Sequence, residues 1–190
     1  LLAETALSPK LIIGNHDDRH SFRSVFPQVP IDGQGHVQYA VDTDQGRFLF
    51  LDTKIEGTHA GGYGPDRQTW LISELDRARA EGLFVYLVMH HHPCAVGDRS
   101  ADTIGLIDGA EFRSILRTYR ETVRHIFFGH CHFSLSGAVH GIPFSAPRST
   151  NHPNASALDG RETAGTGPIA PNYNVVLIEA DSVVVHTVDF

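Results

Sequence analysis

The sequence predicts an α/β fold in which short buried strands end in polar loops. Three observations carry this. Residues 83–89 are a continuous apolar run of strand length, and 124–128 read as a second buried strand. Residues 70–75 and 112–116 place large apolar side chains at helical spacing. Elsewhere, β-rich segments come in pairs separated by short turn signals.

The elements follow in order. Leu11, Ile12 and Ile13 form an apolar run that stops at Gly14, the pattern of a buried strand ending in a tight turn. Residues 37–43 and 47–52 flank Asp44, Gln45 and Gly46, a hairpin signal. Residues 59–64 are a glycine-rich loop. Pro65 opens a helix where its missing N–H is harmless, Trp70, Leu71 and Leu75 give that helix a core face, and Gly82 ends it. Residues 83–89 form a strand buried on both faces. After a loop to Gly105, residues 110–119 read as a helix with Phe112, Ile115 and Leu116 on one side. Residues 124–128 form a second buried strand, and 135–139 with 142–144 form a hairpin around His140 and Gly141. Residues 149–171 are rich in Gly, Pro, Asn and Ala and predict an extended loop partly over the site. Residues 174–179 and 182–188 close the chain as a β-pair. With no repeat and no linker, residues 1–190 read as one domain.

Composition narrows the function. A chain of 190 residues can bury a sizeable core, and 41% hydrophobic with 19% charged content is ordinary for a soluble protein. A net charge of −7 without any run of like charge argues against a nucleic-acid polymer as partner, because phosphate binding needs a basic face. The longest apolar stretch, 83–89, is far below the ~20 residues that span a bilayer, so no membrane partner is expected. Cys94 and Cys131 cannot build a disulfide framework and point to a reducing, cytoplasmic compartment. The sole methionine is Met89, so the sequence reads as incomplete at its N-terminus. A homo-oligomer is left open.

The 13 histidines are the outlier, and they sit inside apolar elements. Three segments matter: Gly14-Asn15-His16-Asp17, His90-His91-His92-Pro93 and Gly129-His130-Cys131-His132. Each begins where an apolar run ends, and in α/β folds ligands gather at the carboxyl ends of strands. Imidazoles with an asparagine oxygen suit Mn, Fe, Zn or Co. A closed structural zinc site would use more thiolate. Asn15 could instead be a turn residue. Side chains alternate along a strand, so the three consecutive histidines cannot all reach one ion. The register two before Pro93 favours His91; His90 is the alternative and His92 a substrate-side candidate. If residues 130–132 stay extended, His130 and His132 share a face and Cys131 points away, with Cys131 ligation the weaker alternative. Asp17 either orients a histidine or caps a helix start, the former being favoured. His59, His125, His140 and His186 read as structural or solvated, and Trp70 as core.

In content and order these segments resemble the calcineurin-like metallophosphoesterases, and within them the cyclic-nucleotide and glycerophosphodiester phosphodiesterase branch. The matching residues are Gly14-Asn15-His16-Asp17-Asp18-Arg19, His91 with Pro93, and Gly129-His130-Cys131-His132. Gly64-Pro65 through Trp70-Leu71 and Ile104-Gly105-Leu106 are also similar to that branch. The resemblance implies a four-layer αββα sandwich, here lacking its N-terminal strands. It implies two divalent metal ions, and hydrolysis of a small phosphodiester, a 3',5'-cyclic nucleotide or glycerophosphodiester type, by metal-activated hydroxide. Asn15, His91 and His130 would bind one ion and His132 the other. His16 would face the substrate phosphate as general acid or clamp, and His152 would be a second phosphate contact.

The family's Asp-Xaa-His strand and bridging aspartate do not occur in this sequence. Asp17, Asp52 and Asp98 lie outside that context, so weak binding of the second ion and a further N-terminal segment in the natural protein are expected. Two competing readings are a phosphomonoesterase on the same fold and a non-catalytic scaffold with a degenerate site. Retention of His16 and His152 speaks against the scaffold.

Overall fold

The computed structural model describes residues 8–158 and 169–190. The chain runs α1 (Arg19–Val25), β1 (Tyr39–Thr43), β2 (Gly46–Leu51), α2 (Pro65–Glu81), β3 (Val85–Met89), α3 (Arg99–Asp102), α4 (Gly109–Thr118), β4 (Val123–Phe127), β5 (Leu135–Val139), β6 (Ile142–Ala146), β7 (Asn172–Ile178) and β8 (Val183–Asp189). The first six strands form one sheet in the order β1-β2-β3-β4-β6-β5. Its central strands β2, β3, β4 and β6 are parallel, and β1 and β5 are antiparallel edges. β7 and β8 pair as a separate two-stranded sheet.

Alternation along the central strands divides the large sheet into two faces. Leu49, Leu51, Leu87, Met89 and Ile126 are buried in one cluster with Leu71 and Leu75 of α2 and Phe112 and Leu116 of α4. On the other face Phe48, Val88 and Phe127 look across an apolar cavity to Asn174, Val176 and Ile178 of β7. The layers therefore run helix, sheet, sheet, which matches the first three layers of the expected sandwich. The outer face of the small sheet is open among the described residues, with Tyr173 46% and Leu177 53% exposed.

Local chemistry sets the boundaries. Pro65 occupies the first turn of α2, and Gly82 closes it in left-handed geometry at φ 69°. His140 and Gly141 both take positive φ in the two-residue turn between β5 and β6. Two helices lay outside the sequence reading. α1 has no buried residue and hence no apolar period; Asp18 caps it by accepting from Ser21 N. α3 has only four residues and is capped by Asp98. Residues 11–13 are not a strand: Ile13 is buried as expected, but no ladder partner lies among the described residues. Of the predicted loop, 159–168 lie outside the described residues. Its earlier part is tied down, with Asn154 N donating to His132 O at 2.7 Å and Ala157 N to buried Asp98 at 2.6 Å.

Sheet register places the 90–92 and 129–132 segments together. Leu51 pairs with Met89, and Val88 with Phe127. The residues that follow β2, β3 and β4 therefore leave the carboxyl edge side by side.

Candidate metal centre

His90 is the first residue beyond β3, and its ring turns toward the turn after Ile13. Nε2 of His90 lies 2.9 Å from Oδ1 of Asn15 and 3.1 Å from Nδ1 of His130. Close packing makes this approach feasible, since a Cβ on Gly14 would stand 2.8 Å from the His90 ring. The proton positions follow from the partners. Nε2 of His130 lies 3.1 Å from the carbonyl oxygen of Ile104 and must donate to it. In a neutral ring Nδ1 of His130 is then a bare lone pair. Nε2 of His90 thus faces two acceptors, the Asn15 oxygen and the His130 nitrogen, and at most one proton lies among them. A cation in that proton's place would satisfy all three atoms, so the donor set fits a divalent ion of borderline softness. Burial is the largest force keeping these rings neutral. It pushes His90 down to about 2, reinforced by His91, His130, His132 and His16, and His130 down to about 3.

His91, expected as a ligand, has partners of its own. Its Nε2 lies 3.2 Å from the carbonyl oxygen of His59 and must donate to it, so Nδ1 accepts from the Thr53 hydroxyl at 2.8 Å. Both nitrogens of this fully buried ring are therefore engaged, although it lies near the other two in one three-histidine group. Counting back from Pro93 missed this because the partners of His91 are distant in sequence. A Cβ on Gly61 would sit 2.4 Å from the His91 ring, and one on Gly105 would sit 2.6 Å from the His92 ring. Each of the three consecutive histidines thus packs against a glycine.

No family model matches the chain. Among curated proteins it is 35% identical over 183 residues to a probable cyclic nucleotide phosphodiesterase of Rhodopseudomonas palustris, covering 95% of this chain and 66% of that protein. It is 32% identical over 151 residues to the glycerophosphodiester phosphodiesterase GpdQ of Enterobacter lignolyticus, covering 70% and 52% of the two chains. It is 30% identical over 174 residues to a cAMP/cGMP dual specificity phosphodiesterase of Mycobacterium tuberculosis, covering 91% and 52%. The chain thus spans between 52% and 66% of the length of these relatives. The crystal structure of a dimetal phosphatase from Danio rerio shares the fold, with a TM-score of 0.66 over 93% of this chain and 68% of that one at 16% identity. The chain belongs to the calcineurin-like metallophosphoesterases.

The remaining residues of this metallophosphoesterase site divide by how they are held. His16 is exposed, with its ring 5.0 Å from that of His59. His59, read as structural or solvated, is at the site: its Nδ1 lies 3.0 Å from Nδ2 of Asn15. The signal for it was its place at the start of the glycine-rich loop. The extended backbone expected over residues 130–132 is not formed, because His130 and His132 take left-handed conformations at φ 66° and 61°. Such geometry costs of order 1–3 kcal/mol per residue and concentrates at functional sites. Cys131 between them is buried, with Sγ 3.6 Å from Nδ1 of His92, and burial pushes its thiol up to about 12. His132 is half-buried outside the three-histidine group. His152 is exposed, its backbone N donating to Ser149 Oγ.

Asp17 does not orient a histidine. Its carboxylate accepts from Gly14 N at 2.7 Å and braces its own turn, while Asp18 is the helix cap. Asp52 is fully buried and already engaged, accepting from Arg19 at 2.8 Å and from Val37 N at 3.0 Å.

Proposed function

We propose that this chain carries the neutral-ligand half of a divalent metal centre that hydrolyses small phosphodiesters. The observation that carries it is the convergence of Asn15 Oδ1, His90 Nε2 and His130 Nδ1, with at most one proton among them. In this reading those three residues hold one ion and His132 contributes to a second, with Mn, Fe, Zn or Co all compatible with such donors. When bound, such ions polarise the phosphoryl oxygens and make hydroxide available from water near neutral pH. The chain's own residues do the rest. His16, exposed beside His59, meets the substrate phosphate and gives its imidazole proton to the leaving alkoxide. His152 offers a second imidazole to the phosphate from the loop that Asp98 and His132 tie down.

The names of the relatives support a cyclic nucleotide or a glycerophosphodiester as substrate class. The test is to load the protein with Mn2+ and assay bis(p-nitrophenyl) phosphate, 3',5'-cAMP and glycerophosphocholine against p-nitrophenyl phosphate. Diesters should be cleaved faster than the monoester. Faster monoester cleavage would transfer the chain to the phosphomonoesterase reading. Metal uptake without hydrolysis of any substrate, in a full-length protein that also supplies the carboxylate ligands, would support the scaffold reading.

A further inference from the structure

We infer that His59 is a positioning residue that turns the amide oxygen of Asn15 toward the metal. This rests on the reading of Asn15 as a ligand. An asparagine amide has two ends of nearly equal size, and only the oxygen can ligate a cation. Something must select which end faces His90.

The backbone does not make that choice. It holds Asn15 in place through Lys54 Nζ, which donates to Asn15 O at 3.3 Å. Rotation of the amide remains free, and its other end meets Nδ1 of His59 at 3.0 Å. There Nδ2 donates to the ring nitrogen, and this points Oδ1 at His90. A flipped amide would set its NH2 against the His90 N–H and its oxygen against the His59 lone pair, so both rings would have to move their protons.

His59 is itself held by a buried strut. Its carbonyl oxygen accepts from His91 Nε2 at 3.2 Å, and Thr53 fixes His91 from behind at 2.8 Å. Gly61 lets the loop lie flat on the His91 ring, where any Cβ would collide with it at 2.4 Å. The path from Thr53 through His91 and His59 to Asn15 thus sets one amide orientation. It also gives His91 a task that does not require it to touch the ion.

The test compares the 190-residue chain with His59→Phe, which keeps a ring beside His16 but lacks the acceptor, and His59→Gln, which restores an acceptor. Mn2+ affinity is measured by following free Mn2+ in a titration. His59→Phe should bind about tenfold more weakly, as when an outer partner of a metal ligand is lost, and His59→Gln should recover most of that loss. Unchanged affinity in His59→Phe would overturn the inference, as would a folded His59→Gln that binds no better than His59→Phe. If the parent takes up no Mn2+, the metal reading fails and the amide itself decides the inference. In the metal-free protein one Asn15 side-chain N–H signal should be shifted downfield by its bond to His59, and that shift should be lost in His59→Phe. Identical signals in both proteins would refute the orienting contact.

Discussion

Residue types at the site were readable from the sequence, but the choice among adjacent histidines was not. Asn15, His130 and a histidine of the 90–92 run were expected together, and they converge. The choice within the 90–92 run depends on partners that a local count cannot see. His91 faces Thr53 and the His59 carbonyl, while His90 faces Asn15. The two residues should therefore separate in experiment. His90→Ala removes a proposed ligand and should weaken Mn2+ binding by more than the ~10–100-fold typical of losing an outer partner. His91→Ala should instead act first on stability. The Thr53 hydroxyl is buried, and leaving it without the His91 ring costs about 1–3 kcal/mol. Urea unfolding and Mn2+ titration of the two variants separate these roles. Equal losses of affinity would return His91 to the ligand set.

Elements were legible where a local rule and the core agreed. α2 combines a proline start, an apolar face and a glycine stop, and its observed span of Pro65–Glu81 follows that reading. α1 buries nothing, so periodicity could not reveal it. Residues 11–13 have strand composition, yet a strand also needs a ladder partner, which composition does not report. The loop from His59 to Gly64 was legible only as glycine-rich; its purpose appears when Gly61 meets His91. Gly61→Ala tests that purpose. The His91 ring is fixed at both nitrogens and cannot retreat from a Cβ that would sit 2.4 Å away. Overpacking of this kind costs typically ~1–3 kcal/mol. Gly33→Ala is the control, because nothing lies within 4 Å of its Cβ. Urea midpoints should fall for Gly61→Ala and stay nearly constant for Gly33→Ala. Equal shifts in both would show that general chain stiffness, and not the histidine contact, governs the loop.

At the scale of the whole molecule, the α/β class and the gathering of the 90–92 and 129–132 segments at one sheet edge followed from parallel strands that end in polar segments. How the second face of the sheet is covered did not follow, since β7 and β8 are distant in sequence from the strands they cover. That face holds a buried histidine with a consequence for acid stability. His125 stacks on Phe127 at 4.4 Å, and its Nε2 meets Ser145 Oγ at 2.9 Å. Burial pushes its pKa down to about 4. An unfolded histidine titrates near ~6.5. Below that value the unfolded chain takes up a proton that the folded chain refuses, so stability falls as pH drops from about 6.5 toward about 4. Below about 4 both states are protonated and this contribution to the slope ends. His90, His91 and His130 shift in the same direction, so the test compares two metal-free proteins and not the shape of one curve. His125→Phe keeps an aromatic ring against Phe127 and removes the titration. Unfolding free energies between pH 7 and 4 should decline less steeply in the variant, by up to one proton or about 1.4 kcal/mol per pH unit. Parallel curves would mean that His125 takes up its proton equally readily in the folded and unfolded chain.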